Sequence, residues 1–309
     1  MIIGLFLALY GDLPLEEALD AAAAAGCEAV EIESKAGSAH CRPGELLRDT
    51  GGRRSLVGLV EGRGLLISAL SCHGNPLHPD RQLAAAADRD YRDTVQLAAE
   101  LGVETVVTFS GCPGESERSL RPSWVTCSWP PEYPDTLAWQ WEERVLPYWE
   151  EAADFAARRG VRVAIEPHPG FVVYNTASML RLREAVGRSV GVNFDPSHLF
   201  WQGIDPLSCA SALSDAIFHV HAKDTAFRPE ILALNGVLDP LPSSRSSERS
   251  WIFRSVGEGH PAAWWRELAE TLRGAGYDGA LSIEHEDPLL ARAEGLAVAV
   301  ATLREALDV

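Results

Sequence analysis

Residues 161–170 read Val-Arg-Val-Ala-Ile-Glu-Pro-His-Pro-Gly, and residues 190–198 read Val-Gly-Val-Asn-Phe-Asp-Pro-Ser-His. Each is a short run rich in β-branched residues that ends on a carboxylate and is stopped by a proline, with a stretch of helical composition between the two. This is a strand–helix unit with an acid at the strand's C-terminal end. The same unit recurs in both directions along the chain. The expected strands are Ile2–Leu9, Ala29–Glu33, Leu65–Ser71, Thr105–Phe109, Arg162–Glu166, Gly191–Asp195, Ile217–His221 and Ala280–Glu284.

Apolar residues spaced by three and four mark the helices between them, as in Leu83, Ala87, Tyr91, Val95, Ala98 and Leu101, and again in Leu296, Val300, Leu303 and Leu307. Pro14 and Gly26 supply start and stop signals for the first helix. Length alone would allow two domains. Alternating units without a break in composition favour a single (β/α)8 TIM barrel domain over residues 1–309 instead of a doubly wound open sheet. Two connections, 110–136 and 224–250, exceed ordinary βα loops and both follow strands, where lids and binding loops sit.

With 44 acidic residues against 27 basic ones, the net charge of −17 repels phosphate backbones and anionic lipid, and no cluster of Lys or Arg offsets it locally. Nucleic acid and membranes are therefore not expected as partners. The start, Ile2 to Leu9, reads as a first strand and not as a signal peptide, since it has no basic leader and no small-residue cleavage site. The cysteines Cys27, Cys41, Cys72, Cys112, Cys127 and Cys209 form no CxxC pair and suit reduced, mostly buried thiols in a cytoplasmic protein. Only Lys35 and Lys223 among the 27 basic residues are lysines, and both follow expected strands.

Four strand ends carry metal-binding side chains: Glu166, Asp195, His221 in Ile-Phe-His-Val-His-Ala-Lys-Asp (217–224), and Glu284 in Leu-Ser-Ile-Glu-His-Glu-Asp (281–287). A lone acid at a strand end is more often a helix cap than a ligand. Four such residues on consecutive strands converge in a barrel, and three carboxylates with one imidazole suit one divalent ion, Mn2+ first, with Mg2+, Co2+ or Zn2+ as alternatives.

These segments, above all Asp195-Pro196-Ser197-His198, His219-Val220-His221-Ala222-Lys223-Asp224 and Ile283-Glu284-His285, resemble the xylose isomerase-like TIM barrels over nearly the whole chain. That family includes sugar isomerases, ketose 3-epimerases, inosose dehydratases and apurinic-site endonucleases. The resemblance implies that Glu166, Asp195, His221 and Glu284 hold the metal, that Glu166 and Glu284 are also the catalytic acid/base pair, and that His198 is a substrate or additional metal ligand. The nucleases of the superfamily hold three zinc ions, partly through an Asp-x-His pair before a Gly-Glu-Gly segment. Gly257-Glu258-Gly259 is present here, but Trp251 and Phe253 stand where the pair would be.

Further candidates for substrate binding are Lys223, His73, His168, Arg254 and Trp124. A retained lysine in an arginine-rich chain suggests a compact ammonium beside a substrate oxygen. His219 alternates with His221 and Lys223, so it faces the same side one layer deeper, as a satisfied interior histidine. Arg254 and Glu33 fit a structural salt bridge equally well. Trp124, Trp129 and Trp201 lie in or near strand-end loops, where a ring could stack on a sugar.

The expected function is a divalent-metal-dependent isomerase or epimerase of a sugar or keto-sugar, removing a proton α to a carbonyl through a metal-stabilised enediolate. Two alternatives stay open: a lyase or dehydratase acting on an inosose or 3-keto-glycoside, and a metal-dependent phosphodiesterase resembling the repair nucleases. The expected partner is a small sugar or cyclitol, and the long loops would allow a homo-oligomer.

Overall fold

A computed structural model describes residues 1–308. Among the described residues ten strands follow one another: β1 (Ile2–Phe6), β2 (Ala29–Glu33), β3 (Leu66–Ser71), β4 (Thr105–Phe109), β5 (Arg162–Glu166), β6 (Val190–Phe194), β7 (Ile217–Ala222), β8 (Asp224–Phe227), β9 (Trp251–Arg254) and β10 (Ala280–Ile283). Eight of them form a closed barrel in the order β1-β10-β7-β6-β5-β4-β3-β2, while β8 and β9 make a separate two-stranded sheet. Neighbouring barrel strands pair in parallel, as in Ile2↔Ala280, Thr105↔Arg162 and Ser282↔His221. The expected (β/α)8 barrel is therefore the observed architecture.

Contacts group the described residues into two compact units, Met1–Glu31 with Val60–Ser68 and the chain from Phe194 onward, and Ile32–Leu59 with Ala69–Asn193. In the first, helices Leu15–Ala25, Ala262–Gly274 and Arg292–Leu307 bury Leu19, Trp265, Leu268, Leu272, Leu296, Val300 and Leu303. Gly26 ends the first helix in the left-handed conformation, at φ 86°, where a side chain would be strained.

In the second unit, helix Arg81–Leu101 is capped by Asp80, whose carboxylate accepts from the N–H groups of Gln82 and Leu83. It buries Tyr91, Val95 and Ala98 of the expected apolar stripe, whereas Leu83 is exposed. Tyr91 donates its hydroxyl to the carbonyl of Ala152 at 2.9 Å, and the Trp149 indole N–H reaches the carbonyl of Ser110 at 2.8 Å. Trp141, Val145, Trp149 and Ala153 are buried on one face, as their spacing predicts. A π turn over Gln140–Val145 directly precedes the helix Leu146–Ala157, whose second residue is Pro147, a position in the first turn where proline is tolerated.

Two readings of the sequence are corrected. The first strand stops at Phe6, and Leu7–Tyr10 turns into a 3-10 helix instead of continuing to Leu9. The segment 224–250, read as a long loop, opens on β8 and returns into β9, which pair as an antiparallel ribbon through Asp224↔Arg254 and Phe227↔Trp251. Its strand signals, Thr225-Ala226-Phe227 and Trp251-Ile252-Phe253, are too short to stand out from loop composition.

Candidate metal centre at the strand ends

Glu166 is the last residue of β5 and is 2 % exposed. Its Oε2 accepts a hydrogen bond from Asn193 Nδ2 at 2.9 Å and lies 3.5 Å from His73 Nε2. The His73 ring tilts against Phe109, which also meets His168 edge-on and stacks on Phe171. The Nδ1 of His168 is 2.7 Å from the carbonyl of Pro169. Phe109 thus fixes both histidine rings by apolar contact and leaves their orientation to these polar neighbours.

Asp195 directly follows β6 and caps the short helix Pro196–Phe200, with its Oδ1 accepting from Ser197 N–H at 2.8 Å. Its Oδ2 lies 3.3 Å from His198 Nε2. The His198 ring meets Phe253 edge-on, so β9 supplies the apolar backing for a buried imidazole. The capping explanation that competes with metal ligation is therefore real but uses only one carboxylate oxygen.

His221, on β7, has no exposed surface. Its Nδ1 is 3.2 Å from Glu284 Oε2, and its Nε2 is 2.8 Å from Glu31 Oε2 on the opposite edge of the ring. Phe6 stacks on the ring at 5.6 Å. Lys223, two residues on and 2 % exposed, places its ammonium 3.2 Å from Glu284 Oε2, 2.6 Å from Glu286 Oε2 and 4.2 Å from the centre of the Phe253 ring. A buried ammonium between two carboxylates on an aromatic face is fully charge-compensated.

One donor atom from each of Glu166, Asp195, His221 and Glu284 lies within 4.8 Å of all the others. Three carboxylates this close repel by about 4 kcal/mol per pair at 4 Å and an effective dielectric of 20, and burial removes the water that would screen them. A divalent cation converts that repulsion into attraction, and three carboxylates with one imidazole nitrogen are the donor chemistry of Mn2+, Mg2+, Co2+ or Zn2+. The residues fit a metal. Two other groups meet the same criterion: Glu166, His168 and His198, and Glu31, His219 and His221.

Other expected binding residues stand apart. Arg254 is held by Asp287 Oδ2 at 2.9 Å and Glu258 Oε2 at 2.6 Å, which is the salt-bridge alternative for this residue. Burial pushes the Asp287 carboxyl up, but the Ser255 N–H, the Arg254 guanidinium and the Leu289 N–H reverse this and leave it below its ordinary value. Lys35 is partly exposed and pairs with Glu33 at 2.6 Å. Trp124 is half-buried and edge-on to Tyr174, while Trp129 is 75 % exposed. Trp201 stacks flat on Trp251. The Gly-Glu-Gly segment wraps the Asp224 carboxylate, whose Oδ2 accepts from Gly257, Gly259 and His260 N–H groups. That carboxylate holds a loop and is not part of a ligand set.

Glu31 was missed from the sequence. His219 is the satisfied interior histidine expected, and the acid that satisfies it is Glu31, 2.9 Å away. The signal was available in Ala-Val-Glu-Ile-Glu (29–33): strand alternation puts Glu31 on the same face as Glu33, one layer deeper, where a carboxylate needs buried donors. Burial raises the Glu31 carboxyl, and its electrostatic contact and hydrogen bonds with the His221 and His219 rings overturn that and hold it well below the usual carboxylate range.

A family model described as Xylose isomerase-like TIM barrel matches residues 19–306. The chain is 36% identical over 304 residues, 96% of each protein, to the uncharacterized protein YfiH of Bacillus subtilis (strain 168). It is 29% identical over 140 residues, 45% of each chain, to an inosose dehydratase of Geobacillus thermodenitrificans (strain NG80-2). A solved D-tagatose 3-epimerase-like protein superposes with a TM-score of 0.68 at 19% identity, covering 100% of this chain and 97% of that one, which is a likeness of fold. Among the described residues no helix is long and apolar enough to cross a membrane.

Proposed function

Because the chain belongs to the xylose isomerase-like TIM barrel family, we propose that it is a divalent-metal-dependent isomerase or epimerase that removes a proton α to the carbonyl of a sugar or keto-sugar. The observation that carries this reading is the presence of two glutamates, Glu166 and Glu284, in one compact donor set with Asp195 and His221. Enolisation needs a base for the α-proton and a second group to return or relay it. The bound ion supplies Lewis-acid stabilisation of charge developing on substrate oxygens.

The side chains divide the remaining work. Asn193 donates to Glu166 Oε2, which fixes the orientation of that carboxylate. Lys223 does the same for Glu284 from the other direction, and its ammonium stays close enough to serve a substrate oxygen. With one glutamate taking the proton and the other returning it to the opposite face, the configuration at carbon inverts. With return to the neighbouring carbon, the carbonyl moves. His198 and His73, each beside one of the carboxylates, are placed to bind substrate hydroxyls.

A second reading, dehydration of an inosose, draws on the likeness to inosose dehydratase over nearly half the chain. The same base would remove the same proton, with a hydroxyl leaving from the next carbon. Elemental analysis of the purified protein, followed by NMR in D2O over keto-sugars and inososes, tests both. One divalent ion per chain and deuterium entering one carbon with the carbon skeleton and hydroxyls retained is the expected result. Loss of a hydroxyl selects the dehydratase, and absence of both ion and exchange sinks the proposal.

A further inference from the structure

Glu31 lies on β2 with no exposed surface, and its Oε2 takes three hydrogen bonds, from His219 Nε2 at 2.9 Å, His221 Nε2 at 2.8 Å and Ser282 Oγ at 3.0 Å. Its Oε1 is buried with no hydrogen-bond partner. Such a group is costly: burying an ionised carboxylate costs several kcal/mol unless its partners are well placed, and an apolar residue of similar volume would serve packing as well or better. A structural role in the core does not account for it.

The arrangement has a definite effect on His221. An ionised carboxylate can only accept, so the Nε2 atoms facing Oε2 must both carry protons. A neutral His221 protonated on Nε2 has its lone pair on Nδ1, the atom that faces Glu284. Ser282, the register partner of His221 across the β10–β7 pairing, holds the carboxylate in line, and His219 closes it from the layer below. With Phe6 stacked on the ring, neither its plane nor its tautomer is free to change.

We infer that Glu31 is a positioning residue that fixes His221 as the Nε2–H tautomer, so that Nδ1 is the atom offered to the divalent ion. The inference rests on the metal-centre reading above and adds to it a buried carboxylate outside the ligand set. Outer carboxylates of this kind orient metal-bound histidines and raise their basicity, and their loss weakens metal binding by about 10- to 100-fold.

Two measurements with Zn2+ as the probe test it. In protein carrying 15N-labelled histidine, the Zn2+-loaded form should show His221 protonated at Nε2 and coordinated through Nδ1. In Glu31→Gln, Zn2+ affinity measured by competition with a chromogenic chelator should fall about 10- to 100-fold, with the circular dichroism of the metal-free protein unchanged. His221 coordinated through Nε2, or an unchanged affinity in Glu31→Gln, overturns the role of Glu31 and leaves the metal centre standing. Two ions per chain, one of them lost in the variant, would make Glu31 a ligand and also overturn it. A wild-type protein that binds no Zn2+ removes the metal centre and this inference together. Should Glu31→Gln fail to fold, the wild-type tautomer decides.

Discussion

Lys223 keeps its ammonium 3.2 Å from Glu284 Oε2 in a position that is 2 % exposed. The pairing joins a candidate substrate-binding cation to a candidate acid/base group, with Glu286 as the more exposed second partner. Lys223→Met should lower turnover by about 100-fold or more, in the range seen when a charge-stabilising donor is removed. Lys223→Arg should not restore it, because the planar guanidinium cannot occupy the volume of an ammonium between Glu284, Glu286 and Phe253. Steady-state kinetics on the substrate found by the D2O screen, with thermal melting of each variant, checks both statements.

Glu166→Gln and Glu284→Gln each remove a proton acceptor while keeping the shape of the side chain. Each should reduce solvent deuterium incorporation by about 10²- to 10⁴-fold, the usual contribution of a positioned acid or base, with the far-ultraviolet circular dichroism unchanged. Full activity in both variants would remove them from the mechanism.

Metal binding should appear as stability. At a free ion concentration of 100 times the dissociation constant, a single site adds about 2.7 kcal/mol, so chelation should lower the melting temperature and readdition of Mn2+ should restore it. Asp195→Asn is the informative variant, since asparagine caps a helix about as well as aspartate. The helix Pro196–Phe200 should persist while the metal-dependent increment disappears.

The Arg254–Asp287 pair gives a dependence on pH. The Asp287 carboxyl titrates below its ordinary value in the folded protein, so the stability it provides is complete above the unfolded carboxylate pKa and is lost as pH falls through the lower, folded one. Asp287→Asn should cost about 1–3 kcal/mol near neutrality. The gap from wild type should close as the solution is acidified below about pH 4. Urea denaturation at a series of pH values measures it, and a gap independent of pH would contradict the assignment.

Gly259 sits against the loop carboxylate so closely that a Cβ there would lie 2.3 Å from the carbonyl of Thr225 and 2.5 Å from Asp224 Oδ1. Gly259→Ala should therefore destabilise the protein by about 1–3 kcal/mol, the range for overpacking. Denaturant unfolding of the two proteins would detect it.

Much of the barrel was legible because each strand is a short apolar run closed by a polar residue, and five-residue strands such as Thr105–Phe109 and Arg162–Glu166 have the bounds their composition predicts. The grouping of Glu166, Asp195, His221 and Glu284 was legible because four such residues close consecutive barrel strands, where any one of them alone reads more simply as a helix cap. What the sequence conceals is pairing between distant residues. Glu31 and His221 are separated by 190 positions, and nothing local in either segment announces the other. The two lysines show the same limit, since identical reasoning placed both at strand ends, yet Lys223 is buried among carboxylates and Lys35 is a partly exposed partner of Glu33. Arg254 also follows this pattern: its charge was visible, but Asp287, which receives it, lies in another segment.

The ribbon β8–β9 separates a fixed base from a long excursion. Its paired base carries Asp224 and Arg254 opposite each other, with Phe253 beneath the Lys223 ammonium, while the chain between Phe227 and Trp251 leaves and re-enters at a fixed register. Leu234 and Leu238, near its outer end, are 85% and 77% exposed. Because Phe227 pairs with Trp251 where the excursion leaves and returns, residues added to or removed from it should leave Asp224, Arg254 and Phe253 in register, and the ribbon acts as a clamp that isolates its base from its tip.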